Sequence, residues 1–178
     1  MYTDHAEYFL DQLNPTFLFT WKGTRFTDED KYHSHDFIEM AFVLSGHGNY
    51  RIDDHIYEVF EGDLIIINAG QKHQALVCDT ANPTTEFFVG FSDIQFPELP
   101  GKHLPLPDGS PILHTTGDLR QKFFKLSTSM TAENAVSQTG RYLMLKSYLV
   151  QMLVLLLRTQ CEPVPIDTGY SFETLNKT

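Results

Sequence analysis

At 178 residues, 42% of them hydrophobic, the chain can bury one sizeable core but is short for two full domains. Thirteen Lys and Arg against twenty-three Asp and Glu give a formal charge of -10, which disfavours direct contact with a phosphate backbone. Cys78 and Cys161 lie too far apart for a CxxC metal motif or a disulfide framework, and neither a signal segment nor an unbroken bilayer-length apolar run is present. These features read as a soluble cytoplasmic protein with no membrane association.

Residues 1–16 are polar with scattered aromatics, close on Asn14-Pro15 and read as an N-terminal arm. Thr16 to Trp21 is aromatic and β-branched and reads as a strand, with Lys22-Gly23-Thr24 as its turn. The acidic run Asp28-Glu29-Asp30 reads as a solvated loop. Residues 33–44 read as one strand in which His33, His35, Glu39, Ala41 and Val43 share a face. Short strands follow at 49–52, 56–59, 64–67, 73–78 and 85–91, separated by glycine and Asx turns such as Asp53-Asp54. This pattern predicts a mainly β, antiparallel double-sheet sandwich or barrel.

Pro97, Pro100, Pro105, Pro107 and Pro111 exclude helix and central strand between 97 and 111, which reads as a wrapping connection. Beyond it the period becomes helical. Asp118 is expected to cap a helix with Leu119, Phe123, Leu126 and Met130 on its apolar face. A longer helix is expected from about Ala135 to Gln160, with Leu145, Leu149, Met152 and Leu156 packing on the barrel. Tyr148 and Leu155 lie on another face and are candidates for a dimer interface. Residues 161–178 read as a linker.

His33, His35, Glu39 and His73 are the candidate site. Imidazole and carboxylate suit a divalent metal (Zn, Mn, Fe or Ni), and the same groups can instead hydrogen-bond one another or hold an organic ligand. Trp21 and Tyr50, with Tyr32, Arg51 and Phe88, are secondary candidates for a pocket wall, because aromatic faces stack on rings and arginine pairs with carboxylates. His5, His47, His55, His103 and His114 fall in turns, loops or edges and read as solvated.

The spacing His33-x-His35-x-x-x-Glu39 running to Gly46, then Gly62 through Asn68-x-Gly70-x-x-His73, resembles the two signature motifs of the cupin superfamily. Asn68 departs from the usual proline, and Val77 stands where the second motif often ends in asparagine. The resemblance implies a cupin-type jelly-roll β-barrel, followed here by two C-terminal α-helices, with His33, His35, Glu39 and His73 in the metal-binding positions.

The order of arm (1–16), barrel (17–116), helical segment (117–160) and linker further resembles the N-terminal domain of AraC-type transcription regulators. That resemblance implies a non-enzymatic domain that binds a small sugar-like effector in the barrel without requiring a cofactor. It also implies a homodimer through the long C-terminal helix, and DNA contact only through a helix-turn-helix domain absent from these residues. The linker-like tail is read as leading to that domain. The alternative is a stand-alone metal-dependent cupin enzyme, an isomerase or dioxygenase.

Overall fold

The β-branched and aromatic segments pair into two antiparallel sheets in a computed structural model that describes residues 13–96 and 99–160. The strands are β1 (Thr16–Thr24), β2 (Ile38–Ser45), β3 (His47–Ile52), β4 (His55–Phe60), β5 (Asp63–Ile67), β6 (His73–Leu76), β7 (Thr85–Ser92) and β8 (Ile112–His114). One sheet has the order β1-β7-β2-β5-β8 and the other β4-β3-β6. The fold is mainly β, a jelly-roll barrel followed by helices α1 (Gly117–Asn134) and α2 (Arg141–Arg158). Most of the expected arm, His5, Pro97, Cys161 and the expected linker lie outside the described residues.

Period-two alternation divides the core into two layers. Ala41, Val43, Ile65, Ile67 and Phe88 point into the barrel and cluster with Tyr50, Ile52, Val59, Ala75 and Ile112. The alternate residues Ile38, Met40, Phe42, Leu64, Ile66, Phe87, Val89 and Phe91 pack on the other face against Phe123, Met130, Leu145, Leu149, Met152 and Leu156 of the helices. The five-stranded sheet is therefore covered on both faces, which accounts for the unbroken burial of β5.

Several boundaries differ from the sequence reading. β1 continues through the expected turn to Thr24, because Gly23 and Thr24 pair with Glu86 and Thr85 of β7. β2 starts only at Ile38, so His33 and His35 precede the strand rather than belonging to it. β8 directly follows the proline-rich wrap, where no strand was expected, and pairs with β5. Asp118 does not cap α1: it lies in the first turn, where its charge suits the helix N-terminus, and pairs with Lys122 at 2.6 Å. The long helix begins at Arg141 rather than Ala135, because Ala135 caps the end of α1 and Gly140 takes a left-handed φ of 82°.

Asn68, the departure from the usual proline, has a structural role. Its buried side-chain amide donates to the Leu104 carbonyl at 3.1 Å and accepts from the Leu104 amide at 2.7 Å. A proline cannot make these bonds, which fasten the proline-rich wrap to the end of β5.

Candidate ligand and metal site

His33 reaches the site through the backbone. It bridges His73, each amide donating to the other's carbonyl at 3.0 and 2.8 Å. In an antiparallel pair, residues bonded in this way project side chains to the same face, and the two rings lie 4.4 Å apart. His35 is fixed by a different contact, its ring stacked on Phe37 at 3.8 Å and 1°. The result is that His33, His35 and His73 each offer a ligand atom within 4.8 Å of the others.

The orientation of these rings is set by their inner nitrogens. Nδ1 of His33, His35 and His73 contacts the carbonyls of Lys31, Phe37 and Gln71 at 3.0, 2.9 and 3.1 Å. A carbonyl can only accept, so Nδ1 carries the hydrogen and a neutral ring keeps its lone pair on Nε2. His55 and His103 make the same local contact elsewhere, so it is the convergence of the three rings that marks the site. Burial lowers His35 and His73 below the ordinary imidazole value, which favours the neutral form.

Glu39 stands beside this group, with Oε2 3.8 Å from His35 Nε2. Burial, reinforced by the carboxylates of Glu29 and Glu86 and opposed by Arg25, pushes its carboxyl up to about 7. His35 Nε2 is buried and has no hydrogen-bond partner among the described residues. An orphaned lone pair, two more imidazoles and a neighbouring carboxylate together fit a divalent cation.

A second polar group lies inside the barrel. Arg25 contacts Glu86 Oε2 through Nη2 at 3.2 Å, and the Tyr50 hydroxyl donates to the same oxygen at 3.1 Å. Arg25, Glu86, Trp21, Phe26, Asp28 and Glu29 border a cavity of about 300 Å³. Of the secondary candidates, Trp21 lines this cavity and packs on Phe88, with centroids 5.3 Å apart. Tyr50, 1% exposed, meets the cavity only through Glu86. Arg51 and Tyr32 are not on the inner wall. They stack on each other at 4.2 Å, and both contact Asp54 on the outer surface.

The sequence reading missed Arg25, Glu29 and Glu86. Glu86 had a readable signal, a lone acid in register with Phe88 along an apolar strand. Arg25 follows the end of β1 and had none. Glu29 falls in a run expected to be solvated, yet its amide and carboxylate both bond Ala75, and Asp28 accepts from the Val77 amide at 2.7 Å. His114 is exposed as expected, although it contacts the buried Asp63 at 2.8 Å.

The family described as "Cupin domain" matches residues 17–89, which hold the histidines, Glu39 and the inner polar group. The chain contains a cupin domain. The HTH-type transcriptional activator RhaR of Escherichia coli K12 is 42% identical over 41 residues, which is 23% of this chain and 14% of RhaR. The matched stretch is thus a small part of that relative's length. Among solved structures, a cupin protein from Bacteroides fragilis is 19% identical with a TM-score of 0.38, covering 49% of this chain and 75% of that one. A variant of Bacillus subtilis oxalate decarboxylase is 21% identical with a TM-score of 0.36, covering 40% of this chain and 20% of that one. No helix among the described residues is long and apolar enough to cross a membrane.

Proposed function

We propose that this cupin domain and its two helices form the ligand-sensing and dimerisation part of an AraC-type transcription regulator acting in the cytoplasm. The observation that carries this reading is the similarity to RhaR, a transcriptional activator by name. A small metabolite binds in the barrel, and α2, packed on the sheet that walls the barrel, carries the response to a second copy of the chain. DNA contact falls to a helix-turn-helix unit outside residues 1–178, in keeping with the formal charge of -10 here. Tyr148 and Leu155 are only partly covered by the domain's own core and form the centre of the dimer contact, with the exposed Tyr142, Leu143 and Met144 extending it.

The expected result is a dimer in sedimentation velocity at tens of micromolar, and a monomer with unchanged circular dichroism for Tyr148→Glu or Leu155→Asp. A wild-type monomer would overturn the dimerisation role.

A second reading, a metal-dependent cupin enzyme, is favoured by the convergence of His33, His35 and His73 beside Glu39. These residues would hold a divalent ion such as zinc, manganese, iron or nickel, which would supply Lewis-acid polarisation of a bound oxygen. The protein's own part is to fix three Nε2 lone pairs through backbone carbonyls and to keep the site partly dry. Elemental analysis of protein purified without chelator tests this reading. It expects near-stoichiometric metal that is lost in His35→Ala, and metal-free wild-type protein sinks it.

A further inference from the structure

The cavity beside the histidine group has a charge of its own. At about 300 Å³ it is at the small end of the range for small-molecule sites. Arg25 is the only basic residue on its wall among the described residues, and its guanidinium is committed to Glu86 Oε2 through both Nη2 and Nε. Among the described residues, every bond to the Glu86 side chain, which is 2% exposed, falls on Oε2, leaving Oε1 for a ligand.

Asp28 and Glu29 each lend one oxygen to a backbone amide of the β6 segment. Those bonds hold the carboxylates in place without cancelling their charge, and Asp30 adds another acid to the rim. Trp21 and Phe26, 55% and 66% exposed, supply aromatic surface to the same cavity. The Trp21 ring is folded back over Gly23 and rests on Phe88, so it is a supported platform rather than a loose side chain.

Fixed carboxylates in excess of the one arginine repel an acid and leave a neutral ligand's surroundings unbalanced. The same carboxylates attract an ammonium group, and so do the faces of Trp21 and Phe26. We propose that the cavity takes a monosaccharide-sized organic amine in its protonated form, recognised by Glu29, Glu86 and the aromatic surface. The proposal rests on the sensor reading and narrows its effector from a sugar-like metabolite to an organic cation.

Trp21 is the only tryptophan in the chain, so intrinsic fluorescence reports on this cavity directly. The test titrates the protein, in EDTA and slightly below neutral pH, with D-glucosamine, D-glucose and D-glucuronate, a cationic, a neutral and an anionic version of one ring. The chelator removes any contribution from metal at the histidines. Glucosamine alone is expected to change the emission saturably, and Glu29→Gln, which can still accept the Ala75 amide, is expected to weaken it about fivefold. Equal or tighter binding of glucose or glucuronate overturns the ligand class. Silence from all three at tens of millimolar overturns the site. Sedimentation of the same preparation separates the two levels: a dimer without an amine response sinks only this proposal, whereas a monomer sinks the sensor reading beneath it.

Discussion

Glu29 and Ala75 are bonded to each other twice: the Glu29 amide donates to the Ala75 carbonyl at 2.9 Å, and the Ala75 amide donates to the Glu29 carboxylate at 3.1 Å. With Asp28 on Val77 and His33 on His73, these bonds lay the β1–β2 connection along β6, the edge of the three-stranded sheet. Arg25, at the start of the same connection, donates its amide to Thr84 beside the other sheet. One segment thus closes the side of the barrel between the sheets and carries Arg25, Glu29, His33 and His35 to the interior.

Removing the Glu29 carboxylate should loosen that closure. Glu29→Ala leaves the Ala75 amide without its acceptor, and a cost of about 1 kcal/mol is expected in urea unfolding. Hydrogen exchange at Ala75 and Val77 should accelerate while β2 and β5 stay protected. Glu29→Gln should keep most of the stability. Equal losses for the two variants would show that the carboxylate oxygen is not the anchor.

The buried Arg25–Glu86 pair predicts an asymmetry. Arg25→Met strands a charge on Glu86, which is almost wholly enclosed, and should cost about 3 kcal/mol. Glu86→Gln keeps an acceptor for the Tyr50 hydroxyl and leaves the charge on Arg25, the more exposed partner, so it should cost roughly half as much. Chemical denaturation of both variants checks the order, and a reversed order refutes this account of the pair.

The double-sheet architecture was legible because alternation at Glu39, Ala41 and Val43 and the apolar run Leu64 to Ile67 have few other ways to be buried. Three candidate ligands also converged as the spacing implied, but not for the reason that parity suggested. His33 and His35 lie outside the strand, and a backbone bridge and a Phe37 stack place them instead. The inner polar group was mostly hidden, because Arg25 and Glu29 gain their meaning from β6 and β7, about fifty to sixty residues away in sequence. No local pattern reports a partner at that distance. The break between the helices was expected but placed before Ala135 instead of across 135–140, for a related reason: these residues carry no proline, and the left-handed Gly140 precedes the second helix.

Two glycines with nearly the same φ should respond differently to alanine. Gly46 and Gly70 have φ of 80° and 82°, so both substitutions force a side chain into the left-handed region at a cost of about 1 kcal/mol. At Gly46 the new Cβ would also land on the backbone carbonyl of Pro83, whereas at Gly70 nothing among the described residues lies within 4 Å. Gly46→Ala is therefore expected to cost about 3 kcal/mol, because backbone must move and the β2–β3 turn shifts with it. Thermal melts of the two variants, compared with wild type, decide this, and similar melting temperatures would rule out the Pro83 clash as the source.

At Gly23 the obstacle is a side chain instead. A Cβ there would overlap the six-membered ring of Trp21, the far end of a side chain that is already largely exposed. The ring can swing away, so Gly23→Ala should cost no more than about 1 kcal/mol. It should nevertheless dismantle the platform over the cavity, because Trp21 can no longer lie back against Phe88. The expected signature is a near-wild-type unfolding midpoint with a shifted Trp21 emission maximum and a weakened response to glucosamine. An unchanged emission spectrum would mean that the Trp21 ring does not rest on Gly23 in solution. A lost midpoint would mean that the glycine serves the β1–β7 pairing rather than the platform.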